Sequence, residues 1–291
     1  MTMTKGSRGF TLIELIAVMI VSSILAMGLV SFIGDSVTGL ISAGARNQLS
    51  SAGRIALDRI AMELHNAMPN SIRTTVASAG GDQCIEFVPV RAATNYLDAP
   101  FTGAGAAAFD VVDFVPDQQG TEGGYAVIYP NDIDEVYDGQ NATTSGFPAR
   151  GPIEEIDTVT TGAIANASTV TLVETHRFDR QSPAGRLFLV DQPVSFCVAG
   201  TRLYRYTNYG FHSAQPDEEA SGGCTVGCLS NYSSAPDKML VTDSIDNTGV
   251  SAFTVENQSL TRNAIVTLVF NLTSAGDSVA LTHAVLSRSV P

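Results

Sequence analysis

One stretch limits what this chain can become: residues 15–34 are twenty consecutive residues without a charge. As a helix at about 1.5 Å rise per residue they extend roughly 30 Å, the thickness of a bilayer's hydrocarbon core. The nine residues at the start, MTMTKGSRG, are polar and carry Lys5 and Arg8 but no acid. Positive charge on that side of a span predicts a cytoplasmic N-terminus and an exported remainder. A secretory signal has a shorter apolar region followed by a small-residue cleavage site. Here the small residue, Gly9, precedes the apolar run, so a cut there leaves the helix on the mature chain. A plain anchor leaves Glu14 unexplained. A carboxylate inside a span costs roughly 2.5–3.5 kcal/mol on insertion scales, which marks it as functional.

The segment Gly9-Phe10-Thr11-Leu12-Ile13-Glu14 resembles the prepilin signature of type IV pilins and type II secretion pseudopilins. The resemblance implies cleavage between Gly9 and Phe10 by a prepilin peptidase, followed by methylation of the Phe10 amine. It also implies a role for Glu14 in assembly. When helices bundle in a filament, each carboxylate can meet a neighbour's N-terminal ammonium, and the pairing offsets the cost of two buried charges. The partners implied are other pilins and minor pilins, the prepilin peptidase and the inner membrane. No cofactor is implied.

Charge and cysteine content fit an exported protein. The formal charge is −13, and removal of Lys5 and Arg8 with the leader takes it to −15. Such a chain has no basic stripe for phosphates, which argues against nucleic acid as a partner. The four cysteines are Cys84, Cys197, Cys224 and Cys228. An even count in an exported domain reads as disulfides, and three pairings are open. Cys224–Cys228, closing a small loop, with Cys84–Cys197 joining two strands, is the pairing preferred. Their spacing and the lack of a nearby histidine argue against zinc.

Past Asp35 the pattern becomes amphipathic. Leu49, Ala52, Ala56, Ile60, Leu64 and Ala67 recur at intervals of three and four, the spacing of one helix face. Arg54 with Asp58 and Arg59 with Glu63 are i,i+4 charge pairs expected on the other side. Pro69 ends the run, because the residue before a proline avoids the α region. The pattern predicts one helix from Phe10 to about Met68.

Beyond it the chain reads as strands rich in β-branched and aromatic residues. The stretches are 71–76, 84–90, 111–115, 125–129, 169–173, 186–190, 194–198, 202–207, 239–242, 251–256, 265–272 and 278–286. Ala199-Gly200-Thr201 between two of these is a hairpin signal. Stretches 103–108, 119–124, 138–151 and 212–223 read as long loops. The fold expected is α+β and type IV pilin-like, a long N-terminal helix on a mostly antiparallel head. Its parts are a prepilin leader (1–9), a transmembrane half-helix (10–34), an amphipathic half-helix (35–69) and a β-rich periplasmic head (70–291).

The sequences GRIALDRI from Gly53, CIEFVP from Cys84 and LYRY from Leu203 are similar to the MshO-type biogenesis proteins of the mannose-sensitive haemagglutinin (MSHA) pilus. So is the terminal stretch with TRNA from Thr261 and HAV from His283. PilW-type minor pilins and pseudopilin J of type II secretion share the plan. These resemblances imply a minor pilin that helps initiate or cap a filament, held in the inner membrane by a single pass and then incorporated into a pilus. The alternatives are a J-type pseudopilin of a type II secretion system and a surface-binding minor pilin acting in adhesion.

No enzyme signature is present: no HExxH, GxSxG, P-loop or helix-opening GxGxxG occurs. His65, His176, His212 and His283 are scattered, and no catalytic residue is expected. The acidic run from Asn131 to Gly139 alternates carboxylates as a calcium loop can, but lacks an EF-hand's fifth-position carboxylate and distal Glu. A solvated acidic turn is the expectation, with no metal.

Overall fold

The computed structural model describes residues 11–113, 123–137, 150–217, 229, 237–256 and 264–287. Gly9, Phe10, Cys224 and Cys228 lie outside the described residues. The chain divides into two compact units, Met1–Gln48 and Leu49–Pro291. Helix α1, Leu12–His65, begins in the first and ends in the second.

The expected helix runs from Phe10 to about Met68; among the described residues the helix observed runs from Leu12 to His65. The Thr11 carbonyl accepts bonds from the amides of Glu14 and Leu15 at 3.1 and 3.2 Å. The last turn tightens, with Asn66 and Ala67 bonding three residues back. Met68 then gives its amide to the Val88 carbonyl at 2.8 Å, and Ala67 bridges Pro89. Strand pairing therefore takes these residues from the helix before Pro69 is reached.

In the second unit β1 (Arg73–Thr74) and β2 (Gln83–Phe87) come first. Next are β3 (Val90–Asn95), β4 (Ala106–Val112), β5 (Tyr125–Val127), the short helix α2 (Ile133–Tyr137), β6 (Arg150–Gly151), β7 (Ile153–Thr161), β8 (Ala167–Phe178) and β9 (Arg186–Val190). The set closes with β10 (Val194–Ala199), β11 (Arg202–Thr207), β12 (Asp237–Thr242), β13 (Phe253–Glu256), β14 (Ile265–Ser274) and β15 (Asp277–Leu286). They form a five-stranded sheet ordered β1-β2-β10-β11-β12, a three-stranded sheet β13-β14-β15, and a sheet ordered β3-β9-β5-β7-β8-β4 with β6 beside β8. Every pairing between these strands is antiparallel except β6 with β8. A long N-terminal helix followed by antiparallel sheets is the expected α+β arrangement, and it is consistent with a pilin-like fold.

The first core lies under the end of α1. Leu49, Ala56, Leu57, Ile60, Ala61 and Leu64 pack with Phe87, Phe196 and Leu203 of the five-stranded sheet and with Phe253, Phe270 and Leu272 of the three-stranded one. Burying an Ile or Leu side chain contributes about 1.5–3 kcal/mol. Gly53 lets the helix approach closely: a Cβ there would lie 2.5 Å from Leu281 Cδ1 and 2.8 Å from Leu272 Cδ1.

The second core belongs to the third sheet, which curls until its outer strands meet. Tyr96 bridges Val111, and the Leu97 amide donates to the Asp110 carbonyl at 2.8 Å. Phe109, Val111, Ile156, Val170, Phe178 and Leu187 fill the space enclosed. All of β3 to β9 lies between β2 and β10 in sequence, so this barrel-like sheet is an insertion into the five-stranded one.

Candidate functional site

Glu14 stands in the first turn of α1 and is solvent-exposed. A carboxylate at this end is favoured by the helix dipole. Every large apolar side chain identified from Leu12 to Ile41 is exposed as well. The helix is long and apolar enough to cross a membrane by length and composition, and none of its most apolar window is buried. Two of its hydroxyl groups bond back onto the helix. Ser23 Oγ donates to the Met19 carbonyl at 2.7 Å, and Thr38 Oγ1 to the Gly34 carbonyl at 2.9 Å. Such back-bonding satisfies polar groups without water. A Cβ added at Gly28, Gly34, Gly39 or Gly44 would meet nothing within 4 Å. Small residues on an apolar helix let a second helix approach closely. This surface fits membrane anchoring.

The end of α1 is tied to the sheet by charge. Arg205 Nε on β11 donates to both carboxylate oxygens of Glu63 at 3.0 Å each, while Arg59 Nε lies 3.5 Å from Glu63 on the helix. Glu63 was expected on the far side of the helix; it instead faces a strand that spacing along the helix cannot reveal.

A buried polar group lies on the face of the five-stranded sheet away from α1. Glu86 is fully buried on β2 and accepts from Arg73 Nε at 2.5 Å and from the Tyr209 hydroxyl at 2.9 Å. Ser195 Oγ completes the chain, 2.7 Å from Tyr209 Oη. Arg73 also donates to the carbonyls of Ser213 and His212 at 2.8 and 2.7 Å, and stacks 3.5 Å above the Tyr137 ring. The Tyr137 hydroxyl donates to the Ser71 carbonyl at 2.7 Å. Burial pushes the Glu86 carboxyl above its ordinary range, while Arg73 and the Tyr209 hydroxyl pull it back. Burial, then the Glu86 charge, pushes the phenols of Tyr137 and Tyr209 well up. Burial pushes His212 down. A signal for this network was present: Glu86 sits among apolar residues in CIEFVP, and a buried carboxylate requires a partner.

On the same face Cys84 is joined to Cys197, its register partner across β2 and β10. Both are buried with Tyr206 and Tyr209.

The remaining chemistry-bearing residues do not converge. His65 is exposed at the end of α1 and His283 is exposed on β15. His176 is buried on β8, its Nδ1 3.1 Å from Glu154 Oε2 and its Nε2 3.0 Å from the Gly151 carbonyl. His212 Nε2 lies 2.7 Å from the Tyr209 carbonyl. In the acidic run, Glu135 is held by Arg180 Nη1 at 2.8 Å and by the Asn131 amide at 2.9 Å. Among the described residues no group of three or more His, Cys, Asp or Glu could hold a metal ion.

No curated protein and no solved structure matches the chain. The family model described as the prokaryotic N-terminal methylation motif matches residues 4–30. That motif is the type IV pilin signal, and with the apolar helix behind it, it supports a type IV pilin-like or pseudopilin-like protein.

Proposed function

We propose that the chain is a minor pilin of an MSHA-like type IV pilus, a structural subunit that helps to initiate or cap the filament. The observation that carries this reading is Glu14, a single carboxylate ahead of an uncharged helix whose side chains find no cover within the subunit. In the filament, cleavage after Gly9 frees the amine of Phe10, and Glu14 pairs with the ammonium of a neighbour. Residues 10–34 lie in the membrane before assembly, with the leader in the cytoplasm and the head of residues 70–291 in the periplasm. A head of that size suits a low-abundance subunit, and GRIALDRI, CIEFVP and LYRY favour the MSHA type.

Two measurements test this. Mass spectrometry of the mature chain should find an N-methylated Phe10, and a deletion strain should lose pili while keeping protein secretion. Lost secretion with intact pili would assign the chain to a type II pseudopilus instead. Glu14→Ala should insert and be processed normally yet enter filaments at a small fraction of the wild-type level. Normal incorporation would refute the assembly role.

A further inference from the structure

Among the described residues, the long strand β15 ends its sheet with an unpaired edge. It pairs with β14 over ten residues without a register shift, from Ile265 opposite Leu286 to Ser274 opposite Asp277. The turn is two residues, so Ser274 and Asp277 close the hairpin as a hydrogen-bonded pair, and N–H groups alternate in and out from there. The Ser287 amide bonding inward to the Ala264 carbonyl agrees with this phase. The amides and carbonyls of Ser278, Ala280, Thr282, Ala284 and Leu286 therefore point away from β14. None of them has a bonding partner among the described residues.

Other strand ends in this head are blunted. The outer strands of the barrel-like sheet meet one another, and both carry register shifts. β1 has two residues and β13 four. β12 has six, carries Asp237 and Lys238, and pairs through a register shift. Shortness, charge and bulges are the devices by which proteins keep edges from pairing. β15 has none of them: after Asp277 its residues are SVALTHAVL, without lysine, arginine, acid or proline.

We propose that β15 is the docking edge for an extended strand of a different subunit of the same filament, which adds to the sheet through main-chain hydrogen bonds. This rests on the pilin-like reading. The choice of partner follows from symmetry and charge. β15 on β15 of a second copy is an isologous contact that closes as a dimer, whereas filament subunits are related head to tail. A chain of formal charge −13 repels acidic neighbours over most of its surface, and this uncharged edge lets one approach.

The test uses the full chain, tagged and solubilised in detergent from piliated cells. Proline at an outward-facing amide of an edge strand is tolerated by the fold but cannot pair. Ala280→Pro and Ala284→Pro should leave the melting temperature within a few degrees and cut recovery of other pilin-like subunits at least tenfold. Thr282→Lys, which keeps the amide but adds charge, serves if either proline variant unfolds. In the wild-type complex, amide exchange at Ser278, Ala280, Thr282 and Ala284 should slow at least tenfold relative to the isolated chain. Folded variants that recover partners at wild-type levels, or edge amides unprotected in the complex, overturn the proposal. Recovery of a homodimer that the proline variants abolish overturns it in favour of a second copy. Recovery of no pilin-like subunit by the wild type overturns the functional reading itself.

Discussion

At the scale of single residues, the pair Arg73 and Glu86 is the most exposed to damage. Its carboxylate is fully buried and its guanidinium nearly so, at 12% exposure. Removing one partner of a buried pair leaves an uncompensated charge, at a cost of about 3–5 kcal/mol. Arg73→Met should lose that much, and Glu86→Gln in addition should restore part of it, because the stranded charge is gone. Equilibrium unfolding followed by tyrosine fluorescence measures both, since the chain has no tryptophan. The network was only half legible beforehand. A glutamate between Ile85 and Phe87 announces a buried acid, but its partners are the distant Arg73 and Tyr209, with Ser195 bonded in turn to Tyr209. The pairing of β2 with β1 sets Arg73 opposite Glu86, and its pairing with β10 sets Ser195 there.

Among elements, local pattern succeeded where a strand or helix keeps its period. β9 and β11 have the bounds their residues suggested, and Gly200, at φ 57°, opens the two-residue turn between β10 and β11. β7 was missed altogether. Ile156 and Val159, both in the enclosed core, are three apart because the register with β8 shifts between Ile156 and Thr158, and Ile153 packs into a separate cluster. A bulge thus hides the alternation that marks a strand. The stretch 103–108 reads as loop, although β4 begins at Ala106; three alanines carry little strand propensity. The tight contact of Gly53 with Leu272 and Leu281 does not show in the helix spacing. Overpacking such a contact costs about 1–3 kcal/mol, so Gly53→Leu should destabilise the chain by that amount. Gly53→Ala should come close to neutral, because gaining a methyl in a helix returns about 1 kcal/mol of propensity. Thermal unfolding of the two variants beside wild type checks the contrast.

For the whole molecule, the N-terminal signal announces a pilin-like helix and the strands announce a β head, whereas the division of that head does not show in the sequence. No turn or linker marks the barrel-like insertion, because its closure depends on β3 reaching β4 across the sheet. Cys84 and Cys197 stand at its two ends, 113 residues apart. Closing a loop of that length contributes about 4–5 kcal/mol in the chain-entropy model. Replacing both cysteines by alanine should lower stability by about 2–5 kcal/mol, read from urea unfolding, with the full effect reproduced by a reductant on the wild-type chain.

The same bond has a mechanical meaning. A pulling force that enters through α1 and leaves through β15 crosses from Cys84 to Cys197 by one covalent step. The residues between them are then excluded from the loaded path. At about 3.5 Å per extended residue, the slack withheld is on the order of 400 Å. A head built this way can yield under tension while withholding about half of its contour length, so the load stays out of the inserted sheet.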